Sequence, residues 1–508
     1  MLARTLMVQG TASSVGKSIL VAALCRIFRE QGIKVAPFKA QNMSLNSFVT
    51  PDGKEIGRAQ AVQAEAAGID PAVEMNPILL KPEGGGRSQI VMLGKPVGAL
   101  KFGDNDDDRL SELRAVVADS LERLRRNYEL IVIEGAGSPV EINLKQRDVV
   151  NMHVAKLAGA PVILVGDIDR GGVFAQFVGT MELLEPDERA LVAAMLINKF
   201  HGDVALLQSG IDFIVQRVNT PMLGVIPFIE RLRVADEDAV ALDHRHRHTA
   251  SAERLQIAVV RLPRISNFDD FQPLEYQAGA SVRFVDTPHD LAEADLAILP
   301  GSKSTVADLN WMRANGFDRA LIERATRALP ILGVCGGYQM LGQTIEDPHG
   351  VESSERITTG LGLLAVRTCF ARDKVTARVR ARVNADSFMV DDAIGREIAA
   401  YEIHMGLMHP ARDVAAPFQV ISRNGEAISA LEGAISENGA VVGTTLHGIF
   451  DNEWLCASML RSLRRRRGLA DPLVSAPFDR DAEYDRLAAI VRGSIDMALL
   501  QRLAGITR

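Results

Sequence analysis

The sequence predicts an α/β protein: a doubly wound, mostly parallel sheet domain built on a phosphate-binding P-loop, followed by a second α/β domain. Three observations predict it. Short apolar runs alternate with amphipathic helical stretches from Thr5 to Pro227, the pattern of parallel strands joined by crossover helices. The periodicity then breaks over residues 236–254, a polar stretch containing His244-Arg245-His246-Arg247-His248. It restarts at Leu255 with the apolar run 256–260. At 508 residues the chain exceeds one ordinary core, which places domains at 1–235 and 255–508 with 236–254 as linker. The three linker histidines are interleaved with arginines that repel a cation, so they are read as polar linker and not as metal ligands.

Composition narrows the function classes. Hydrophobic residues make up 47% of the chain and charged residues 24%, enough apolar surface for packed cores. A formal net charge of −7 gives no sign of a nucleic-acid partner. No apolar run reaches the roughly 18 residues of a membrane span, and Met1-Leu2-Ala3-Arg4 leads into a strand without a signal peptide's apolar core. Four scattered cysteines suggest neither a disulfide framework nor a zinc cluster, and the expected compartment is the reducing cytoplasm.

In the first domain, strand 5–9 runs into Gly10-Thr11-Ala12-Ser13-Ser14-Val15-Gly16-Lys17-Ser18, and an amphipathic helix over 19–30 follows. In such a loop the backbone N–H groups around Thr11, Ser13, Val15 and Gly16 face phosphate oxygens. Lys17 supplies a cation, and the Ser18 hydroxyl is placed to ligate Mg²⁺. A phosphate-bearing ligand and Mg²⁺ are therefore expected at this loop. Strand 34–38 ends at Lys39-Ala40-Gln41-Asn42, on the edge where ligands bind in open α/β sheets. The acidic run 104–108 reads as a solvated loop before a helix over 110–125. Strand 129–133 delivers Glu134, a carboxylate where Mg²⁺ or its water shell is usually held. Strand 162–165 leads to Asp167, Asp169 and Arg170, the aspartates suited to metal or substrate and the arginine to a phosphate or carboxylate. Strands 191–197 and 222–226 complete the sheet.

In the second domain, strands 256–260, 281–285 and 296–299 precede 331–334, which ends in Gly333-Val334-Cys335-Gly336-Gly337 before a helix resumes. This is a nucleophile elbow carrying sulfur: small neighbours admit the substrate, and the N–H groups beginning at Gly336 favour a thiolate and an oxyanion. Cys25, Cys369 and Cys456 lack that glycine context and read as structural. Strand 440–446 delivers His447, the expected base for Cys335, with His404 as its rival. The polar run Arg261–Phe271 is expected at the domain junction, the basic run Arg464–Arg467 on a solvated helix, and the amphipathic stretch 484–503 packed on the second domain.

The elbow and His447 together resemble the class I, triad-type glutamine amidotransferases, whose cysteine attacks the glutamine amide and releases ammonia. That resemblance implies that Gly301 and Ser302, in Leu299-Pro300-Gly301-Ser302, supply oxyanion backbone. Such proteins usually carry a glutamate two residues after the histidine. Here Ile449 stands there, leaving a Cys-His dyad with its third member open. The P-loop has five residues between Gly10 and Gly16 where four are usual, which resembles the dethiobiotin synthetase-like ATPases. By that likeness Asn198 reads the adenine, although His201 stands where those proteins usually have arginine.

Across nearly its whole length the chain is similar to the cobyric acid synthase family, including the segments 39–44, 57–61, 74–82, 261–271 and 401–406. The resemblance implies ATP- and glutamine-dependent amidation of corrinoid side-chain carboxylates. Lys39, Gln41, Asn42, Gln60, Asp167, Asp169 and Arg170 are then the candidate substrate residues, and the corrinoid is substrate, not cofactor. The alternatives are a cobyrinic acid a,c-diamide synthase of the same chemistry and a non-catalytic, partition-type nucleotide switch.

Overall fold

The structure, a computed structural model, describes residues 2–101, 106–235, 253–390, 393–470 and 478–506. The three linker histidines and the start of the acidic run lie outside them. In the first domain β1 (Arg4–Gly10), β2 (Val35–Phe38), β3 (Leu130–Glu134), β4 (Val162–Asp167), β5 (Val192–Phe200) and β6 (Met222–Pro227) form one parallel sheet in the order β6-β5-β4-β1-β3-β2. The central strands are apolar on both faces because helices cover both sides. Helix α1 (Lys17–Glu30) buries Leu20, Leu24, Ile27 and Phe28, an i, i+4, i+7, i+8 stripe. Since all six strands point one way, their carboxyl ends share an edge, where the P-loop, Glu134, Asp167 and Asn198 converge.

Two features were not legible in the periodicity. Strands Gln41–Met43, Ile78–Gly84, Arg87–Met92 and Lys95–Lys101 build a separate, largely antiparallel sheet. Helix α2 (Arg58–Ala67) packs on α1 and β2, buried along most of its length. The second domain is likewise more than its parallel core. That core is β7 (Leu255–Val260), β8 (Ala280–Val285), β9 (Leu296–Leu299), β10 (Ile331–Val334), β11 (Ala434–Ile435) and β12 (Val441–Thr444), ordered β8-β7-β9-β10-β12-β11, with only β11 antiparallel. Beside it stands an antiparallel sheet dominated by two long strands, Val366–Val383 and Glu397–Pro410. The elbow helix α3 (Gly336–Leu341) starts directly after β10 and Cys335.

The expectation that residues 484–503 pack on the second domain is wrong. Helices α4 (Arg480–Ser494) and α5 (Met497–Leu503) return to the first domain, where Tyr484, Leu487, Val491 and Leu500 join the core of Leu20, Leu24 and Phe28. Buried Arg26 on α1 anchors them, with Nε 2.6 Å from Asp485 and Nη1 2.7 Å from Asp481. An amphipathic face specifies that a helix must be covered, not which apolar surface covers it. Leu487 is fully buried there. Leu487→Ala is expected to cost about 2–5 kcal/mol and to lower the urea midpoint followed by circular dichroism. An unchanged midpoint contradicts the packing.

The acidic run is also corrected. Asp106 caps helix Asp107–Asn127, accepting from Arg109 N at 2.9 Å, and Asp107 and Asp108 occupy its first turn, where the helix dipole favours them. In the basic run Arg464 is buried against the Ala470 and Glu253 carbonyls, while Arg465, Arg466 and Arg467 remain exposed or half-buried.

Candidate active site

The P-loop turns through Ser14 (φ 59) and Gly16 (φ 95). Gly16 is required twice over: its φ lies in the left-handed region, and a Cβ there would meet Asn198 Nδ2 at 2.3 Å. That Asn198 amide donates to Val15 O at 2.8 Å, tying β5 to the loop. Lys17 reaches back over the loop to the carbonyls of Ala12 (3.2 Å) and Gly137 (3.1 Å). Thr11 Oγ1 donates to Gln176 at 2.8 Å, and Ser13 is exposed. Ser18 Oγ donates to Glu134 Oε1 at 2.8 Å. Glu134 is fully buried and is also held by Lys39 Nζ (2.8 Å) and by Gln63 Nε2 (2.5 Å). The sequence reading did not single out Gln63. A hydroxyl and a carboxylate side by side at a phosphate loop are hard oxygen donors of the kind Mg²⁺ takes.

The candidate substrate residues divide. Asp167 is buried at the end of β4 and pairs with Lys199 at 2.7 Å, while Asp169 and Arg170 are exposed just beyond. Asn42 Nδ2 donates to Gln60 Oε1 at 3.1 Å. Gln60 Nε2 has no hydrogen-bond partner, and Gln41 sits half-buried beside them.

In the second domain Cys335 has φ 50 and ψ −109, a conformation costly for a non-glycine residue and expected of a strained elbow. The packing around it enforces the turn. A Cβ on Gly337 would sit 2.0 Å from Leu299 O, and one on Gly336 would lie 2.8 Å from Ser302 N. Gly336 and the Ser302 amide are thus adjacent beside the thiol, and a Cβ on Gly301 would touch the His447 ring at 3.3 Å. The Ser302 hydroxyl turns away, donating to Asp308 at 2.7 Å. Cys335 Sγ lies 3.6 Å from Ile403 O. One pocket is shared by Cys335, His447, Ser302, Lys303, Glu352 and His404. His404 is held by Gly406 O at 2.8 Å through Nδ1, its Nε2 has no partner, and burial lowers its pKa.

The open third position has an occupant. Asp270 Oδ2 lies 2.6 Å from His447 Nδ1, and Asp270 Oδ1 accepts from Gly448 N (3.0 Å) and Tyr401 OH (3.2 Å). The Tyr401 ring stacks on the imidazole, with centroids 5.3 Å apart and planes at 17°. Burial works against a charged imidazole here. The Asp270 carboxylate and the neighbouring Cys335 outweigh it and raise the His447 pKa to about 10. Asp270 follows the first strand of the second domain, 177 positions from His447. The available signal was a pair of carboxylates, Asp269-Asp270, beyond the end of a central strand.

Because the folded pKa of His447 lies above its unfolded value of 6.5, the stabilisation is complete below pH 6.5 and is lost as pH rises through about 10. The thermal midpoint of wild type should therefore exceed that of Asp270→Asn at pH 6, and the gap should close toward pH 10. A gap independent of pH contradicts the pairing.

The domain junction is polar and specific. Asn267 Nδ2 donates to Ser47 O (2.8 Å) and to Tyr401 OH (2.9 Å), and Arg58 Nε lies 2.7 Å from Asp269 Oδ2. Buried Glu55 of the first domain takes Lys374 of the second at 2.5 Å and also Lys81. Burial and Lys374 lower the Lys81 pKa to about 8 despite Glu55. Among the described residues no helix is long and apolar enough to cross a membrane, and no group of three or more His, Cys, Asp or Glu side chains could hold a metal ion.

Fold and site together define a P-loop nucleotide-binding domain joined to a glutamine amidotransferase domain. Residues 6–241 match the CobQ/CobB/MinD/ParA nucleotide binding domain, and residues 256–454 match the CobB/CobQ-like glutamine amidotransferase domain. The chain is 56% identical to the cobyric acid synthase of Sorangium cellulosum, covering 100% of both chains. It is 47% identical to that of Desulforamulus reducens, covering 99% of each, and 49% identical to that of Dehalococcoides mccartyi strain 195, covering 98% of this chain and 97% of that one. The chain belongs to the cobyric acid synthase family.

Proposed function

We propose that this chain amidates the b, d, e and g side-chain carboxylates of adenosylcobyrinic acid a,c-diamide, giving adenosylcobyric acid, with glutamine as nitrogen donor and ATP as activator. The observation that carries this reading is one chain, similar end to end to cobyric acid synthases, with Cys335 and His447 in one domain and the P-loop with Glu134 in the other.

In the glutaminase centre the Cys335 sulfur attacks the carboxamide carbon of glutamine. The Gly336 and Ser302 amides, flanking the thiol, stabilise the oxyanion. His447, held by Asp270, takes the thiol proton and returns it to the departing nitrogen, so the C–N bond breaks and ammonia leaves; water then hydrolyses the thioester to glutamate. In the synthetase centre a substrate carboxylate oxygen attacks the γ-phosphorus of ATP and ADP departs, making the carboxyl oxygen a leaving group. Ammonia attacks the acyl carbon and phosphate is released. Lys17 and the loop amides bind the phosphates, Asn198 reads the adenine, and Lys39, Asp167 and Arg170 face the carboxylate-rich substrate. Ser18 and Glu134 would hold Mg²⁺, which would neutralise phosphate charge.

Mass spectrometry of the corrinoid after incubation with Mg·ATP and amide-¹⁵N glutamine tests the proposal. Successive labelled amide gains are expected, up to four. An unchanged corrinoid with ATP and glutamine consumed would leave the two chemistries standing and remove the substrate.

A further inference from the structure

Arg58 is the first residue of α2 in the synthetase domain, yet its guanidinium lies in the glutaminase domain's neighbourhood. It is buried, 2.7 Å from Asp269 Oδ2, and packs on Phe48 with 4.9 Å to the ring centroid. Phe48 in turn meets the edge of Tyr401, centroids 5.2 Å apart. Asp269 is adjacent in sequence to Asp270, and both lie in the short turn Phe268–Phe271, whose N-cap Asn267 is held by Ser47 of the synthetase domain. Three of the residues around the Asp270 carboxylate, Asn267, Asp269 and Tyr401, therefore each touch a synthetase-domain residue. On the same helix Gln63 donates to Glu134 and to the Ser18 carbonyl, so α2 touches the P-loop centre at one point and the triad turn at another. Gln63 lies five positions after Arg58, about 7.5 Å along the axis.

We propose that Arg58 is a positioning residue of the glutaminase centre, contributed by the synthetase domain. By clamping Asp269 it sets the turn from which Asp270 orients His447. The inference rests on the glutaminase reading of Cys335 and His447 but assigns a role to a residue outside that machinery. It makes glutamine hydrolysis depend on how α2 sits on the first domain.

Removing Arg58 alone would strand a buried carboxylate, so the informative variant in the full-length enzyme is Arg58→Gln/Asp269→Asn, a neutral pair of similar size. Expected are a fall of about tenfold or more in glutaminase kcat, a KM for glutamine within about threefold of wild type, and unchanged ATP-dependent amidation from added ammonia. Arg58→Lys, which keeps the charge, should recover part of the kcat. Glutaminase kcat within about twofold of wild type in the double variant overturns the proposal. Equal losses in the glutamine- and ammonia-dependent reactions overturn it too, because the pair is then general scaffold. Absence of any Cys335-dependent glutamine hydrolysis in the wild-type enzyme would instead sink the functional reading beneath it.

Discussion

Cys335→Ala should abolish corrinoid amidation from glutamine while leaving amidation from added ammonia close to wild type. The thiol sits on a strained elbow that puts Gly336 against the Ser302 amide, in a pocket shared with His447. Alanine keeps the packing and removes the nucleophile, so residual hydrolysis rests on the oxyanion amides alone. For nucleophile loss in triad enzymes the expected fall is on the order of 10⁴-fold or more. The synthetase centre lies on another sheet and needs only ammonia, which bulk solution supplies at alkaline pH. Glutamine-dependent product from the alanine variant would remove Cys335 from the mechanism.

Asp270→Asn carries the second large effect. The carboxylate accepts at 2.6 Å from Nδ1, so the imidazolium that the raised pKa favours keeps that proton when Nε2 gives its own to the departing nitrogen. An asparagine amide can donate to Nδ1 and so favours the opposite tautomer, with Nε2 already protonated. The fold is preserved because Oδ1 can still accept from Gly448 N and Tyr401 OH. Glutaminase kcat should fall roughly 10²–10⁴-fold, with ammonia-dependent amidation intact. If kcat is unchanged, the His447–Asp270 contact has no part in catalysis. The substitution separates Asp270 from the rival base as well: His404 is oriented by Gly406 O and should be indifferent to Asp270.

What was legible in the sequence was what is local. The P-loop and the elbow are runs of nine or fewer residues in which backbone geometry forces the residue types, so Gly16 and Gly337 announce their turns before any packing is known. The alternation of apolar runs likewise gave both parallel cores. Asp270 escaped because its partner is 177 positions away and its neighbours, two phenylalanines and a second aspartate, read equally well as a junction loop. The family likeness even pointed elsewhere, to position 449, where an isoleucine is now buried in the core. Gln63 escaped for a different reason. In a helix of alanines and glutamines nothing local tells which amide meets a carboxylate. The antiparallel strands at 78–101 and 366–432 were missed because long mixed-polarity strands lack the dense apolar signature of a buried parallel one.

The return of α4 and α5 to the first domain changes how the two halves are connected. The chain leaves the nucleotide-binding sheet after β6 and is back on it at Arg480, so the glutaminase lobe is an insertion fastened at both ends. A lobe hung on one tether samples open arrangements at the cost of a single hinge. One fastened twice keeps its partner surface at high effective concentration, and a single backbone break between the lobes would leave them joined. The covalent topology itself thus holds the nucleotide-binding domain and the glutamine amidotransferase lobe side by side.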